Sequence, residues 1–380
     1  MEKKIFSRDF IFAFFAQFAF SFSYFILLPT LPIYLTRQKA TELEIGLLVG
    51  VFSVSSLILR PIVGRGLLRI PEKNFMAAGA IIFILSFIAY LLAPPFWPFL
   101  IVRVFHGVGL AFFYTSGATL IANISPEAYR GRSLGYFFLA YNLAFAVAPS
   151  FGMFVMNLSG FTGLFLVCSS ISLCSLVFAA RLGKREVPPS GDPSPEDRSF
   201  LSRKALPPSI IALFIHLVWG AMTAFFPLYA VEQGVSNPGT FFATFAIMLI
   251  LGRTLGARIL DVYKREKVLL PCLISYVIAM IILAFSKTLP MFILVAVIWG
   301  AGNAFVFPAL VSYAIDLAGA SRGPAMGTFT AACDLGVGLG AMIMGVILRL
   351  TSYQTMFLSL AFTGVINLSY FLFLMRKQEK

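Results

Sequence analysis

Charge is what this chain has least of. Asp, Glu, Lys and Arg make up 12% of its 380 residues, against roughly a quarter in a soluble chain. Histidine occurs twice, at His106 and His216, and cysteine four times, at Cys168, Cys174, Cys272 and Cys333. None of these stands at a metal-ligand spacing from another. The cysteines all fall inside apolar stretches, so they read as small packing residues and imply neither a disulfide nor a metal site. H-E-x-x-H, G-x-S-x-G and clustered carboxylates are also missing. A membrane enzyme needs a nucleophile, a carboxylate pair or a metal cluster at one membrane face. The sequence therefore speaks against an enzyme and calls for no cofactor.

Apolar residues fill the space that charge leaves. They make up 59% of the chain, and mean hydropathy is +0.91. Stretches of about 20 apolar residues, the length that crosses a ~30 Å hydrocarbon core, recur along the whole sequence. Twelve are read: 10–35, 44–67, 75–93, 98–122, 132–157, 160–182, 208–233, 239–260, 268–287, 290–315, 325–348 and 354–375. The expected fold is an all-α membrane protein. The first stretch is too long for a signal-peptide core and no small-residue cleavage site follows it, so it is expected to be retained. One composition break occurs, at 183–207, rich in Pro, Ser and charge. It reads as a flexible linker between a six-helix half over 1–182 and another over 208–380.

Basic residues outnumber acidic ones by 29 to 16, a net charge of +13. Their placement rules out nucleic acid as the reason. Lys3, Lys4, Arg65, Arg69, Lys73, Arg130, Arg132, Arg181, Lys264, Arg265 and Arg376 fall in alternate connections or at the termini. The other connections hold only Arg37, Lys39, Lys287 and Arg349. This is the positive-inside pattern, which puts both termini and the linker in the cytoplasm of a cell whose plasma (inner) membrane holds the chain. An even number of spans gives the same answer. The partners expected are the lipid bilayer, a small-molecule substrate and protons. No nucleic acid and no second subunit is expected, so the chain is read as a monomer.

The chain also repeats itself about 193 residues apart. Arg60 pairs with Arg253 and Gly107 with Gly300 at an offset of 193, while Arg130-Gly131 pairs with Arg322-Gly323 at 192. Pro32-Ile33-Tyr34 pairs with Pro227-Leu228-Tyr229 at 195. Two similar membrane halves are the mark of a transporter whose bundles rock about a site between them. Helices 5 and 11 are dense in small residues: Ala144, Ala146, Ala148 and Gly152 in one, Gly336, Gly338, Gly340 and Gly345 in the other. Small residues let membrane helices approach closely, and matching places in the halves suggest the seam along which these slide.

Over essentially its whole length the chain resembles the major facilitator superfamily. Arg103, His106, Gly107, Gly109 and Ala111 follow the helix 4 pattern R-x-x-(Q/H)-G-x-G-x-A. Ala148-Pro149-Ser150-Phe151-Gly152 is similar to the end of the exporters' G-x-x-x-G-P-x-x-G-G, with Ala148 for the second Gly. The loop pattern G-x-x-x-D-R-x-G-R-R after helix 2 is partial, with Leu68 for its Asp and Pro71 for a Gly. The second half keeps Asp261 in Arg253-x-x-Gly256-x-x-x-x-Asp261, and has Asp316 where the first half has Asn123. The resemblance implies twelve transmembrane helices in two pseudo-symmetric bundles. It also implies gating by Arg60, Arg253, Asp261, Asp316 and Pro149, with any cytoplasmic latch in the second half. Simple anchoring of helix ends by those charges is the alternative.

Three interior groups are candidates for proton coupling. Asp334 lies about eleven residues into helix 11, near the midplane at ~1.5 Å per residue, where a lone ionised carboxylate costs several kcal/mol. Its first-half counterpart is Asn142. Arg103 cannot lose its proton and needs a partner, a wet cavity or an anion, unless it snorkels outward. His106 lies one turn further along the same face. The resemblance also implies that helices 1, 4, 7 and 10 line a central cavity. There they carry Gln17, Ser21, Tyr24, Tyr114, His216, Trp219, Thr223, Trp299 and Asn303, an aromatic wall with a few polar points. Such a wall suits a small amphipathic or lipophilic compound. The expected function is proton-coupled export by alternating access. An importer or uniporter of a metabolite such as a sugar is a second reading. A scaffold or sensor that transports nothing, favoured by Leu68, is a third.

Overall fold

A backbone in hydrocarbon must satisfy its own N–H and C=O groups, and in this sequence of apolar runs the helix does so. The computed structural model describes residues 6–67, 69–93, 96–125, 130–183, 202–255, 263, 265–318 and 322–378. They form α1 (Arg8–Arg37), α2 (Glu42–Gly66), α3 (Glu72–Leu92) and α4 (Trp97–Ile124), then a helical stretch Arg130–Ala180. That stretch breaks at Gly160, whose φ of 68° and ψ of −169° are open to a residue without Cβ. The break separates α5 (130–159) from α6 (161–180). After a 3₁₀ turn at Arg203–Ala205 come α7 (Leu206–Glu232), α8 (Gly239–Leu255), α9 (Arg265–Phe285), α10 (Leu289–Ala318), α11 (Arg322–Leu350) and α12 (Tyr353–Gln378). Among the described residues, ten stretches are long and apolar enough to cross a membrane, counting Ser133–Ala180 as one, and Gly239–Thr254 is a shorter apolar helix.

Local chemistry sets the ends. Ser7 caps α1 by accepting from the Phe10 N–H at 3.2 Å. Thr41 and Glu44 form a reciprocal capping box before α2, with the Thr41 N–H donating to Glu44 Oε2 at 2.7 Å and the Glu44 N–H to Thr41 Oγ1 at 3.3 Å.

The chain divides into two compact units, Met1–Ala40 with Val51–Gly191, and Thr41–Gly50 with Asp192–Lys380. In the first, α1 is held by α5 and α6. Ser175 Oγ donates to the Ala16 carbonyl at 2.8 Å and Ser172 Oγ to Ser23 Oγ at 3.0 Å, while a Cβ on Gly152 would lie 2.8 Å from Ile26 O. In the second, Gly336 and Gly340 of α11 abut the Leu213 and Leu217 carbonyls of α7, and Gly220 of α7 abuts the Val337 carbonyl. Of the small residues expected to mark a seam between halves, Gly152, Gly336 and Gly340 thus pack within a unit, while a Cβ on Gly345 would lie 2.8 Å from Glu42 O at the start of α2.

The repeat is visible as a repeated contact. Gly107 of α4 lies against the Phe52 carbonyl of α2, and Gly300 of α10 lies against the Phe245 carbonyl of α8, where a Cβ would sit 2.9 Å away. A Cβ on Gly109 would come within 3.1 Å of Gly79 O, and one on Gly302 within 3.2 Å of Cys272 O. Each member of these pairs is offset from its counterpart by 193 residues. Two bundles built on one plan keep the same glycines because the same backbones cross there.

Candidate functional site

Because Gly107 lets α4 touch α2, the residue one turn earlier is brought over an aromatic ring. Arg103 is 4% exposed, and its Cζ lies 4.4 Å from the centroid of Phe52. A desolvated contact of this kind contributes about 2 kcal/mol. Arg103 also hydrogen-bonds Tyr90 of α3. The Tyr90 hydroxyl lies 2.8 Å from Nδ1 of His106. His106 is fully buried and meets the rings of Phe52, Phe83 and Phe87 edge-on, and among the described residues its Nε2 has no hydrogen-bond partner. Arg103 therefore points into the first unit and does not snorkel. The shared face of Arg103 and His106 is as expected. Tyr90 and Phe52 were not anticipated. The signal for Tyr90 lay in the short α3–α4 connection, which makes the two helices antiparallel neighbours and puts the end of α3 beside the start of α4.

A second polar chain runs from α1 to α4. Gln17 Nε2 donates to Ser21 Oγ at 3.0 Å, and Ser21 Oγ lies 3.1 Å from the Tyr114 hydroxyl. Gln17 is 1% exposed, and among the described residues its Oε1 has no hydrogen-bond partner. Tyr141 of α5 meets the Tyr114 ring edge-on at 5.7 Å, and Tyr24 stacks on Phe52 at 5.3 Å. Arg60 lies within electrostatic range of Tyr114. It is half-buried inside α2, six residues before that helix ends. Asn142 is half-buried on α5 and Pro149 is buried within the same helix.

In the second unit, Trp219 of α7 stands 5.6 Å from Trp299 of α10. Trp299 is fully buried among Phe241, Phe245 and Tyr276 and packs as core. His216 Nδ1 bonds the Ala212 carbonyl of its own helix at 2.8 Å. Asn303 and Asp334 are half-buried, Asp334 twelve residues into α11. Arg253 is half-buried near the end of α8 and Asp316 is exposed near the end of α10. Asp261 and Leu68, on which the expected latch asymmetry rests, lie outside the described residues, as do Arg258, Lys264 and 184–201 of the linker.

The first unit nevertheless ties its helix ends together. Asn123 Nδ2 at the end of α4 donates to Glu72 Oε1 at the start of α3, 2.6 Å away. Lys73 Nζ donates to the Ala180 and Leu182 carbonyls at 2.8 and 2.7 Å, capping the α6 terminus with a cation where its dipole favours one. The Gly183 N–H donates to Asp9 Oδ1 at 3.1 Å. Asn123 is thus the donor that lets Glu72 stay in this join.

Apolar spans in two units built on one plan, with charged groups inside them, define an integral membrane transporter. Two overlapping stretches, 13–264 and 238–380, match the Major Facilitator Superfamily, and the chain belongs to that family. It is 26% identical over 334 residues to the staphylopine export protein of Staphylococcus aureus, covering 84% of each chain. It is 25% identical over 343 residues to an uncharacterized MFS-type transporter of Methanocaldococcus jannaschii, covering 87% of this chain and 88% of the relative. To the quinolone resistance protein NorA of Staphylococcus aureus it is 22% identical over 335 residues, 84% of each. Among solved structures, the nucleoside transporter NupG superposes with a TM-score of 0.76 at 15% identity, over 96% of this chain and 98% of that one. A POT family transporter in complex with 5-aminolevulinic acid gives 0.80 at 14% identity, over 98% and 97%.

Proposed function

We propose that this transporter exports a small amphipathic or lipophilic organic compound in exchange for protons, by alternating access of two six-helix bundles over 1–182 and 208–380. It works as a monomer in the plasma membrane with both termini in the cytoplasm. The observation that carries the reading is the buried Arg103–Tyr90–His106 cluster, a fixed charge joined by a hydroxyl to an imidazole inside an apolar bundle. Polar and ionisable groups at such depth are costly, and their usual place is a proton or substrate path. Asp334 is the proton site in this scheme, with Arg103 and His106 tuning it. Gln17, Tyr24, Tyr114, Asn142, His216, Trp219 and Asn303 face the cargo, and Arg60, Arg253, Asp316 and Asp261 gate access.

Two relatives carry export or drug resistance in their names, which supports the outward direction and nominates staphylopine and a quinolone as first probes. One charge moved inward through 100 mV yields about 2.3 kcal/mol, a roughly fifty-fold gradient. The test is uptake of both probes by inside-out proteoliposomes with an acidic lumen. Accumulation that disappears when the pH gradient and the potential are collapsed is the expected result. Accumulation indifferent to both overturns proton coupling, and equilibration without accumulation of either probe favours a uniporter.

A further inference from the structure

The second unit has an opening that none of these residues line. Between α9 and α10 lies a cavity of about 630 Å³, within the range of small-molecule sites. Tyr263 and Lys267 stand at one end, and Pro271, Ser275, Gly302 and Phe305 line its length. Its interior is apolar for identifiable reasons. Ser275 Oγ donates to the Cys272 carbonyl at 2.7 Å, so its hydrogen is turned back into α9. Gly302 has no side chain because a Cβ there would strike Ser275 Oγ. The helix beneath is one of the most apolar spans in the chain, Lys267–Phe285 with a mean hydropathy of 2.7.

The mouth has the opposite character. Tyr263 is 57% exposed and Lys267 is exposed. Pro271, one turn on, has no N–H to return to the Lys267 carbonyl. Lys264, Arg265, Glu266 and Lys267 give this end of the span a net charge of +2 in sequence. From Lys267 to Ser275 is about 12 Å along the helix. A cationic, hydroxyl-bearing mouth over an apolar groove of that depth matches a phosphate with a hydrocarbon chain beneath it. Basic residues at a membrane surface draw anionic lipid.

We propose that this groove binds one anionic phospholipid. Lys267 and the Tyr263 hydroxyl hold the phosphate, and one chain lies along Pro271, Ser275 and Phe305. The occupant is a lipid and not a free anion, because the groove continues into the apolar span below the charged mouth.

The experiment uses the full chain purified in detergent, with unfolding temperature read against phosphatidylglycerol, phosphatidylcholine of the same chains, and inorganic phosphate. Phosphatidylglycerol is expected to raise the unfolding temperature well beyond phosphatidylcholine, and phosphate to leave it unchanged. Lys267→Gln, at an exposed position that tolerates it, is expected to remove the difference between the two lipids. Ala301 of α10 also lines the groove, so Ala301→Phe fills it and is expected to abolish lipid retention by native mass spectrometry. Equal shifts from the two lipids, a shift from phosphate alone, or an undiminished phosphatidylglycerol shift in Lys267→Gln each overturn the proposal.

Discussion

The Tyr90 hydroxyl lies 2.8 Å from Nδ1 of His106 and also hydrogen-bonds Arg103, so one phenol joins a cation to an imidazole between α3 and α4. Tyr90→Phe keeps the ring and deletes that junction. A buried polar group left without its partner costs about 1–3 kcal/mol. The variant should unfold several degrees lower in detergent and lose most transport in proteoliposomes. Arg103→Lys keeps the charge but loses the planar contact with Phe52. It should fold and transport poorly. A Tyr90→Phe protein with wild-type transport would show the cluster to be packing alone.

Asp334→Asn preserves size and hydrogen bonding and removes titration. Accumulation driven by pH should vanish, while probe binding or downhill exchange remains measurable. Uptake with and without an imposed pH gradient decides it. Concentration of substrate by the variant as strongly as by wild type would make Asp334 structural and move coupling to His106, His216 or Glu232.

Gly107 has the Phe52 carbonyl where its Cβ would be, whereas Gly135 has none of the described residues within 4 Å of its own. Gly107→Leu should therefore cost about 1–3 kcal/mol or more from overpacking and displace Arg103 from Phe52, lowering transport with stability. Gly135→Ala should be neutral or mildly stabilising, since alanine is the better helix former by about 1 kcal/mol. Unfolding temperatures of the two variants give the comparison, and equal losses would refute the close α2–α4 approach.

Asn123→Asp would set a second carboxylate against Glu72 at 2.6 Å. The folded pair would hold a shared proton more tightly than the unfolded chain does, so the stability of the variant should rise as pH falls through the carboxylate range. Wild type lacks that like-charge pair and should not show the same rise. Unfolding temperature against pH for both proteins tests it, and parallel profiles would mean that Asn123 and Glu72 are not energetically joined.

Cysteine introduced in the segment 183–207 should react with a membrane-impermeant thiol reagent only from the cytoplasmic side, because alternate connections hold the basic residues. Labelling from outside would contradict the proposed orientation.

Much of this architecture was legible before any coordinates. Apolar runs of span length, the 193-residue repeat and the glycine signature after Arg103 sufficed for the fold class and for the face shared by Arg103 and His106. Other features were not legible, because one-dimensional patterns do not say which neighbour a residue meets. The density of small residues in α5 and α11 was plain, but not that Gly152 would meet Ile26 and Gly340 would meet Leu217. Trp299 looked like a cavity residue by its helix, yet its ring is enclosed by Phe241, Phe245 and Tyr276. Among 42 phenylalanines and 13 tyrosines, nothing in the order of residues distinguished Phe52 and Tyr90.

By itself the sequence determined where apolar runs recur, where charge is concentrated and which glycines repeat. Those properties follow from length, hydropathy and spacing, which the chain carries at every residue. The tertiary structure alone decided that Tyr90 stands between Arg103 and His106, that Arg60 lies near Tyr114, and that Asn123 donates to Glu72. Each of these depends on which faces of neighbouring helices come together. That choice belongs to side-chain packing between segments many residues apart.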